Sequence, residues 1–227
     1  MNIKVVAFDA DDTLWQNEHY FKQTEDQFCS LLADYLPQWE VEKALFETEI
    51  VNLPLYGYGI KGFILSMIET AIRISENRLD PRVIEQIVQL GKGMLNEPVE
   101  LMDGITDVLD ALKGKYKLIV ATKGDLLDQE RKLKKSGLLH YFHHIEVMTE
   151  KDEENYMKLL KHLEVGAEEL LMIGNSLKSD VLPVLNIGGH AFHIPFHITS
   201  VHEQVKETVE HERFRSLLNI REVLQFL

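Results

Sequence analysis

Immediately after a short apolar run at residues 3–8, the chain reads Asp9-Ala10-Asp11-Asp12-Thr13-Leu14. Side chains two apart in extended backbone share a side, so Asp9 and Asp11 can face one pocket. Two close carboxylates repel, which raises the pKa of one of them unless a cation intervenes. One carboxylate can then attack an electrophile while the other carries protons. The same acids also make sense as helix caps in a loop, and the segment alone leaves both readings open. Three further segments deserve the same scrutiny. Thr122, followed by Lys123 and Gly124, is either an ordinary β-branched strand residue or a hydroxyl aimed at an anion. Lys151, in Thr149-Glu150-Lys151-Asp152, is a lone cation in an acidic loop, solvated or catalytic. Gly174-Asn175-Ser176-Leu177-Lys178-Ser179-Asp180 reads as a turn whose Ser179 or Asp180 caps a helix.

The hydrophobic periods supply the elements that must position these residues. Residues 3–8 (Ile-Lys-Val-Val-Ala-Phe) form a predicted buried strand. From Glu18 to about Glu97 the pattern is helical, with four helices expected. Phe21, Phe28 and Tyr35 mark the first, closed by Pro37. Val41, Ala44 and Leu45 start the second. Ile60, Phe63, Ile64, Met67, Ile68, Ala71 and Ile72 mark the third, behind the turn-like Tyr56-Gly57-Tyr58-Gly59. Asp80-Pro81 opens the fourth, with Asp80 as N-cap and Pro81 at the first helical position. After Pro98, strands predicted at 116–122, 145–148, 170–173 and 190–194 alternate with helices at 105–112, 126–136, 154–163 and 179–186. Alternating β and α elements imply a parallel sheet with helices on both faces, and in such sheets ligands bind beyond the carboxyl ends of the strands. All four reactive segments follow strands. The expected organisation is an α/β, Rossmann-like, doubly wound core from residues 1–16 and 97–227. An all-helical, four-helix segment is inserted at residues 17–96.

Composition narrows the partners. Lys and Arg total 24 against 37 Asp and Glu, a net charge of −13. That balance argues against a nucleic acid polymer or an anionic membrane as the main partner, because both reward clustered basic residues. A single cysteine, Cys29, excludes an internal disulfide. The N-terminal Met-Asn-Ile-Lys runs straight into an apolar strand without a signal-peptide layout. The expectation is a cytoplasmic protein, monomeric or homodimeric, acting on a small molecule.

The order of these segments resembles the haloacid dehalogenase-like (HAD) hydrolase superfamily. Asp9-Ala10-Asp11-Asp12-Thr13-Leu14 is similar to its first motif, Asp-x-Asp-x-Thr-Leu. Thr122 matches the second, Lys151 the third, and Gly174-Asn175 with Asp180 the fourth. A helical insertion directly after the first motif resembles members with a C1-type cap. The resemblance implies a phosphatase in which Asp9 attacks phosphorus to form an aspartyl-phosphate and Asp11 serves as general acid and base. Thr122 and Lys151 would hold the transferring oxygens, and Mg²⁺ would be held by Asp9, Asp11, Asn175 and Asp180. The substrate implied is a small phosphorylated metabolite such as a sugar phosphate or nucleotide. Caps of this family close over the substrate, so Tyr56, Tyr58 and Lys61 are candidate substrate contacts, with packing of the helical segment as the alternative. Lys123 is a further candidate, as added phosphate attraction or as a side chain pointing to water.

Three positions depart from the family pattern. Asp12 stands where Gly is commonest, Lys123 where Asn is frequent, and Asn175 where a metal-binding Asp is common. Two relatives of the same fold offer alternatives, a 2-haloacid dehalogenase and a phosphomutase, and a non-catalytic binding protein is a third. Halide leaves without a proton, so an acid at Asp11 favours the phosphatase. Ten histidines invite a metal site, above all His143-His144 and the set His190, His193 and His197. Pro195 argues against a helix aligning that set, and a dedicated histidine site is not expected.

Overall fold

A computed structural model describes residues 2–197 and 208–227. It divides into two compact units. One comprises Met1–Glu18, Val99–Lys123 and Gln129–Leu227; the other comprises His19–Pro98 and Gly124–Asp128.

The first unit is built on a parallel sheet. Its strands are β1 (Val5–Phe8), β2 (Lys117–Lys123), β3 (Ile145–Met148), β4 (Leu170–Gly174), β5 (His190–His193) and β6 (Phe214–Ser216). They lie in the order β3-β2-β1-β4-β5-β6, every neighbour parallel. The order reverses at β1, as a doubly wound sheet requires. Strand alternation fills both faces. Val6 and Phe8 join Val108, Leu109, Leu112, Leu133 and Phe192 in one core, whereas Val5 and Ala7 join Tyr156, Leu159, Leu160 and Val184 in the other. Strands buried on both faces explain why these segments read as continuous apolar runs.

Helices α5 (Ile105–Leu112), α6 (Leu126–Lys135), α7 (Glu153–Leu163) and α8 (Leu182–Asn186) alternate with the strands; α6 begins in the second unit. The expected helix over 179–186 is two pieces, a wide π turn at Leu177–Val181 followed by α8. The sequence reading stops at β5. The chain continues through β6, whose three residues show no alternation, and a 3₁₀ turn at Ile220–Gln225 that returns Ile220 and Val223 to the core.

The second unit carries four helices, α1 (Glu18–Leu31), α2 (Gln38–Tyr56), α3 (Ile60–Ile74) and α4 (Pro81–Asn96), around Phe28, Leu32, Leu45, Met67 and Ile87. The expected role of Pro37 is corrected. Helix α1 ends at Leu31, Tyr35 lies exposed beyond it, and Pro37 is the extended residue that begins α2. A proline at a helix start sacrifices no intrahelical bond. Asp80 caps α4 as expected, its carboxylate accepting from the Arg82 backbone N–H at 2.9 Å. Among the described residues no helix is long and apolar enough to cross a membrane.

Candidate active site

Asp9 follows β1 directly and keeps the sheet register, its backbone N–H donating to the Ile173 carbonyl at 2.9 Å. The chain then folds tightly over Ala10, whose carbonyl accepts from the N–H groups of Thr13 and Leu14 at 3.3 and 2.8 Å. Asp12 occupies the left-handed region with φ of 60°. This is the physical content of the glycine expected there, and Asp is one of the few other residues that visit it. Its carboxylate accepts from the backbone N–H groups of Asn17 (2.8 Å) and Glu18 (3.1 Å) and so caps the start of α1. Burial nevertheless pushes the Asp12 carboxyl up to about 7, with the Asn17 N–H pulling the other way.

The four strand-end segments converge through side chains. Lys151, beyond β3, is buried, not solvated. Its ammonium donates to Asp9 Oδ1 at 2.5 Å and to Asp180 Oδ1 at 2.6 Å. Burial alone would lower the lysine; the Asp180 and Asp9 carboxylates outweigh it and hold Lys151 above its ordinary value. Burial also pushes the Asp9 carboxyl upward, while the Lys151 ammonium pulls it back. Asp180 points its other oxygen at the Ser176 backbone N–H, 3.0 Å away. The cap of the following turn is therefore neither Ser179 nor Asp180 but Ser176, whose hydroxyl accepts from the Ser179 N–H at 3.0 Å. Gly174 is required for this arrangement, because a Cβ there would collide with the Asp180 carboxylate.

Asp11 is half-buried and faces a different set of donors. The Trp15 indole donates to its Oδ1 at 2.7 Å, Lys132 donates to the same oxygen at 2.6 Å, and the Gln129 amide donates to Oδ2 at 2.8 Å. Gln129 also reaches the Thr122 hydroxyl at 3.3 Å and the Lys123 carbonyl at 2.9 Å, which ties Asp11 to the end of β2. Thr122 is buried, and Lys123 turns inward to donate to the Ser179 hydroxyl at 3.0 Å. Sequence reasoning missed Trp15, Gln129, Lys132 and Ser176. Gln129 and Lys132 are three apart on α6 and share a helix face, but they sit among Arg131, Lys134 and Lys135 in a stretch that reads as solvated.

The expected metal ligands divide. The Thr13 hydroxyl lies 3.5 Å from Asp9 Oδ2 and 3.4 Å from Asn175 Oδ1, so these two oxygens border one small space. The Asn175 loop is fixed from behind by His193, whose Nε2 donates to the Asn175 carbonyl at 2.9 Å. Both Asp180 oxygens are committed to Lys151 and Ser176. A carboxylate oxygen and an amide oxygen are hard donors, which fits Mg²⁺.

Tyr56, Tyr58 and Lys61 belong to the helical unit. Tyr56 is exposed and donates to Glu69 at 2.8 Å, Tyr58 is half-buried, and Lys61 pairs with Asp125 of the same unit at 2.9 Å.

Comparison with known proteins agrees with this fold. A crystal structure of a haloacid dehalogenase-like family hydrolase from Xanthomonas campestris shares 39% identity at a TM-score of 0.88, over 97% of this chain and 88% of that one. Pyrimidine 5'-nucleotidase YjjG of Escherichia coli K12 is 26% identical over 201 residues, 81% of this chain and 82% of its own length. Pyrimidine 5'-nucleotidase PynA of Streptococcus pneumoniae R6 is 30% identical over 128 residues, 53% and 54% of the two lengths. A family model of haloacid dehalogenase-like hydrolases matches residues 3–188. On the fold, the strand-end cluster and these similarities together, this chain is an enzyme of the haloacid dehalogenase-like hydrolase family.

Proposed function

We propose that the chain is a Mg²⁺-dependent phosphomonoesterase whose substrate is a small phosphate ester, with nucleoside 5'-monophosphates first among the candidates. The observation that carries this reading is the separation of two neighbouring carboxylates into unlike environments. Asp9 is buried against Lys151 and Asp180, whereas Asp11 is half-buried among Trp15, Lys132 and Gln129. Unlike surroundings for two acids are what a nucleophile beside an acid–base group needs.

In this reading Asp9 attacks phosphorus, a P–O bond forms to its carboxylate, and the bond to the leaving oxygen breaks. Asp11 delivers a proton to that oxygen and later takes one from the water that cleaves the aspartyl-phosphate, releasing phosphate. Lys151 has three N–H donors, of which Asp9 and Asp180 take two, so one remains for a phosphoryl oxygen. Thr122 adds a hydroxyl at the end of β2, and fixed donors of this kind count most where charge develops. Mg²⁺, when bound, would offset the repulsion between Asp9 and an anionic substrate. Asp9, Asn175 and the Asp11 backbone carbonyl would hold it, with Asp180 orienting Lys151 and the Asn175 loop. Lys123 stands close to this loop as a second positive charge. Tyr56, Tyr58 and Lys61 are the helical-unit candidates for selectivity, tested by whether their substitution changes KM between substrates. Similarity to two pyrimidine 5'-nucleotidases supports the nucleotide choice.

The decisive experiment is a panel of pyrimidine and purine nucleoside monophosphates, sugar phosphates, p-nitrophenyl phosphate and 2-chloropropionate, each assayed with Mg²⁺ and with a chelator. Phosphate release that requires Mg²⁺ and is fastest on nucleotides is the expected result. Halide release from the chloroacid without phosphate release from any ester would replace the phosphatase with a dehalogenase.

A further inference from the structure

The start of the edge strand β3 carries a second group of ligating side chains, remote from the strand ends described above. His144 precedes β3 and Glu146 lies two residues on, so their side chains emerge on the same side of the extended chain. His162 comes from the last turn of α7, which runs back along β3 after the Lys151 loop. His144 Nε2 lies 3.6 Å from Glu146 Oε2, and that oxygen lies 3.8 Å from His162 Nδ1. One ligand atom from each of the three falls within 4.8 Å of the other two. Ligands of a tetrahedral zinc ion at 2.0–2.1 Å stand roughly 3.3 Å apart, so small side-chain rotations bring these atoms onto one centre.

Two details separate this group from a chance meeting of surface residues. His144 Nε2 is shielded from solvent and has no hydrogen-bond partner among the described residues, although a buried ring nitrogen ordinarily finds one. The opposite ring nitrogen, Nδ1, is held at 2.9 Å by Nδ1 of His143. Metal-ligating histidines are oriented in this way, one nitrogen fixed by a neighbour and the other left to the ion.

We propose that His144, Glu146 and His162 form a binding site for a borderline divalent transition-metal ion, Zn²⁺ foremost, at the amino-terminal end of β3. Two imidazoles and one carboxylate suit zinc, nickel, cobalt or copper and do not suit Mg²⁺, which prefers oxygen-only shells. The bound ion joins the start of β3 to the last turn of α7, and water completes its shell. The site is distinct from the oxygen-donor cluster at Asp9 and independent of the reaction proposed there.

The test is calorimetric titration of the full chain with Zn²⁺ in the presence of millimolar Mg²⁺, together with His162→Ala, Glu146→Gln and the control His197→Ala. His162 is exposed, so its removal leaves the fold intact. The expected result is one Zn²⁺ bound per chain, an affinity about tenfold or more weaker in His162→Ala and Glu146→Gln, and no change in His197→Ala. In the wild type, the imidazole NMR signals of His144 and His162 should shift at one equivalent of Zn²⁺ while that of His197 stays in place. Equal zinc affinity in wild type, His162→Ala and Glu146→Gln, or unmoved His144 and His162 signals, overturns the proposal.

Discussion

Within helices α1 to α4 the buried polar side chains are hydroxyls and an amide. Thr70 donates to the Thr48 hydroxyl at 2.9 Å, Thr48 donates to the Ala44 carbonyl at 2.9 Å, and the Asn52 amide donates to Ser66 at 3.1 Å. In the sheet unit they include a cluster of charges: the side chains of Lys151, Asp9 and Asp180 are 1%, 11% and 1% exposed. A neutral buried hydrogen bond contributes about 1 kcal/mol and demands little. Burying charges costs several kcal/mol per ion even when they are paired, and a buried ion pair can often be replaced by apolar residues at no loss. Stability therefore accounts for the threonine ladder in the helical unit and gives no reason for the lysine between two aspartates. Strongly perturbed charges gathered at one end of a sheet are what the proposed chemistry would require.

The sharpest way to break this contrast is Asp9→Asn. It removes the carboxylate proposed as nucleophile and leaves a side chain of the same shape beside Lys151. Phosphate release is expected to fall by about 10⁴-fold or more, while the melting temperature stays within a few degrees of wild type. Near-normal turnover would mean that the buried charges serve something other than covalent attack.

Lys151→Met separates cost from purpose. Methionine fills similar space but leaves Asp9 and Asp180 facing each other without their cation, and breaking a buried pair from one side costs about 3–5 kcal/mol. Denaturant unfolding should register that loss, and turnover should fall with it. Asp11→Asn comes next. An alkyl leaving group needs a proton and nitrophenolate hardly does, so single-turnover phosphorylation should slow by about 10²–10⁴-fold for a nucleoside monophosphate and far less for p-nitrophenyl phosphate. Equal slowing for both substrates would deprive Asp11 of its acid role.

How far the sequence reveals this molecule depends on how local each signal is. Strands β1, β2 and β4 are legible because burial on both faces writes them as continuous apolar runs. Strand β6, Phe-Arg-Ser, is half-buried to exposed and too short to show any period. Pro37 misleads because a proline after a helical stretch marks an end or a beginning equally well, and here the intervening turn assigns it to α2. At the candidate site, Asp9, Thr122, Lys151 and Asp180 can be found because each stands at or beyond the carboxyl end of a strand, and the fold does the rest. Trp15 and Lys132 cannot, since indole and ammonium groups are common on helices and loops and only the Asp11 carboxylate gives them a task. His162 reads as one more exposed helix residue until α7 folds back along β3 and brings it to Glu146.

The smallest expected effect belongs to Thr70→Val, and it tests the other half of the contrast. Valine keeps the β-branched shape of a side chain that is fully buried, and it deletes one hydroxyl. Thr48 loses the donor at 2.9 Å but keeps its own bond to Ala44 and still accepts from Arg73 at 2.9 Å, so no buried polar atom is stranded. The cost should be about 1 kcal/mol or less in denaturant midpoint, with kcat and KM unchanged. Thr48→Val is the harsher companion, because it strips Thr70 of its acceptor and Arg73 of one of its two, and should cost about 1–3 kcal/mol, again without touching turnover. The ladder would then be a device for joining α2 to α3 and nothing more. A change in kcat of tenfold or more from either valine would show that the neutral network also bears on catalysis, and the division between a unit that buries polarity for packing and one that buries it for chemistry would fail.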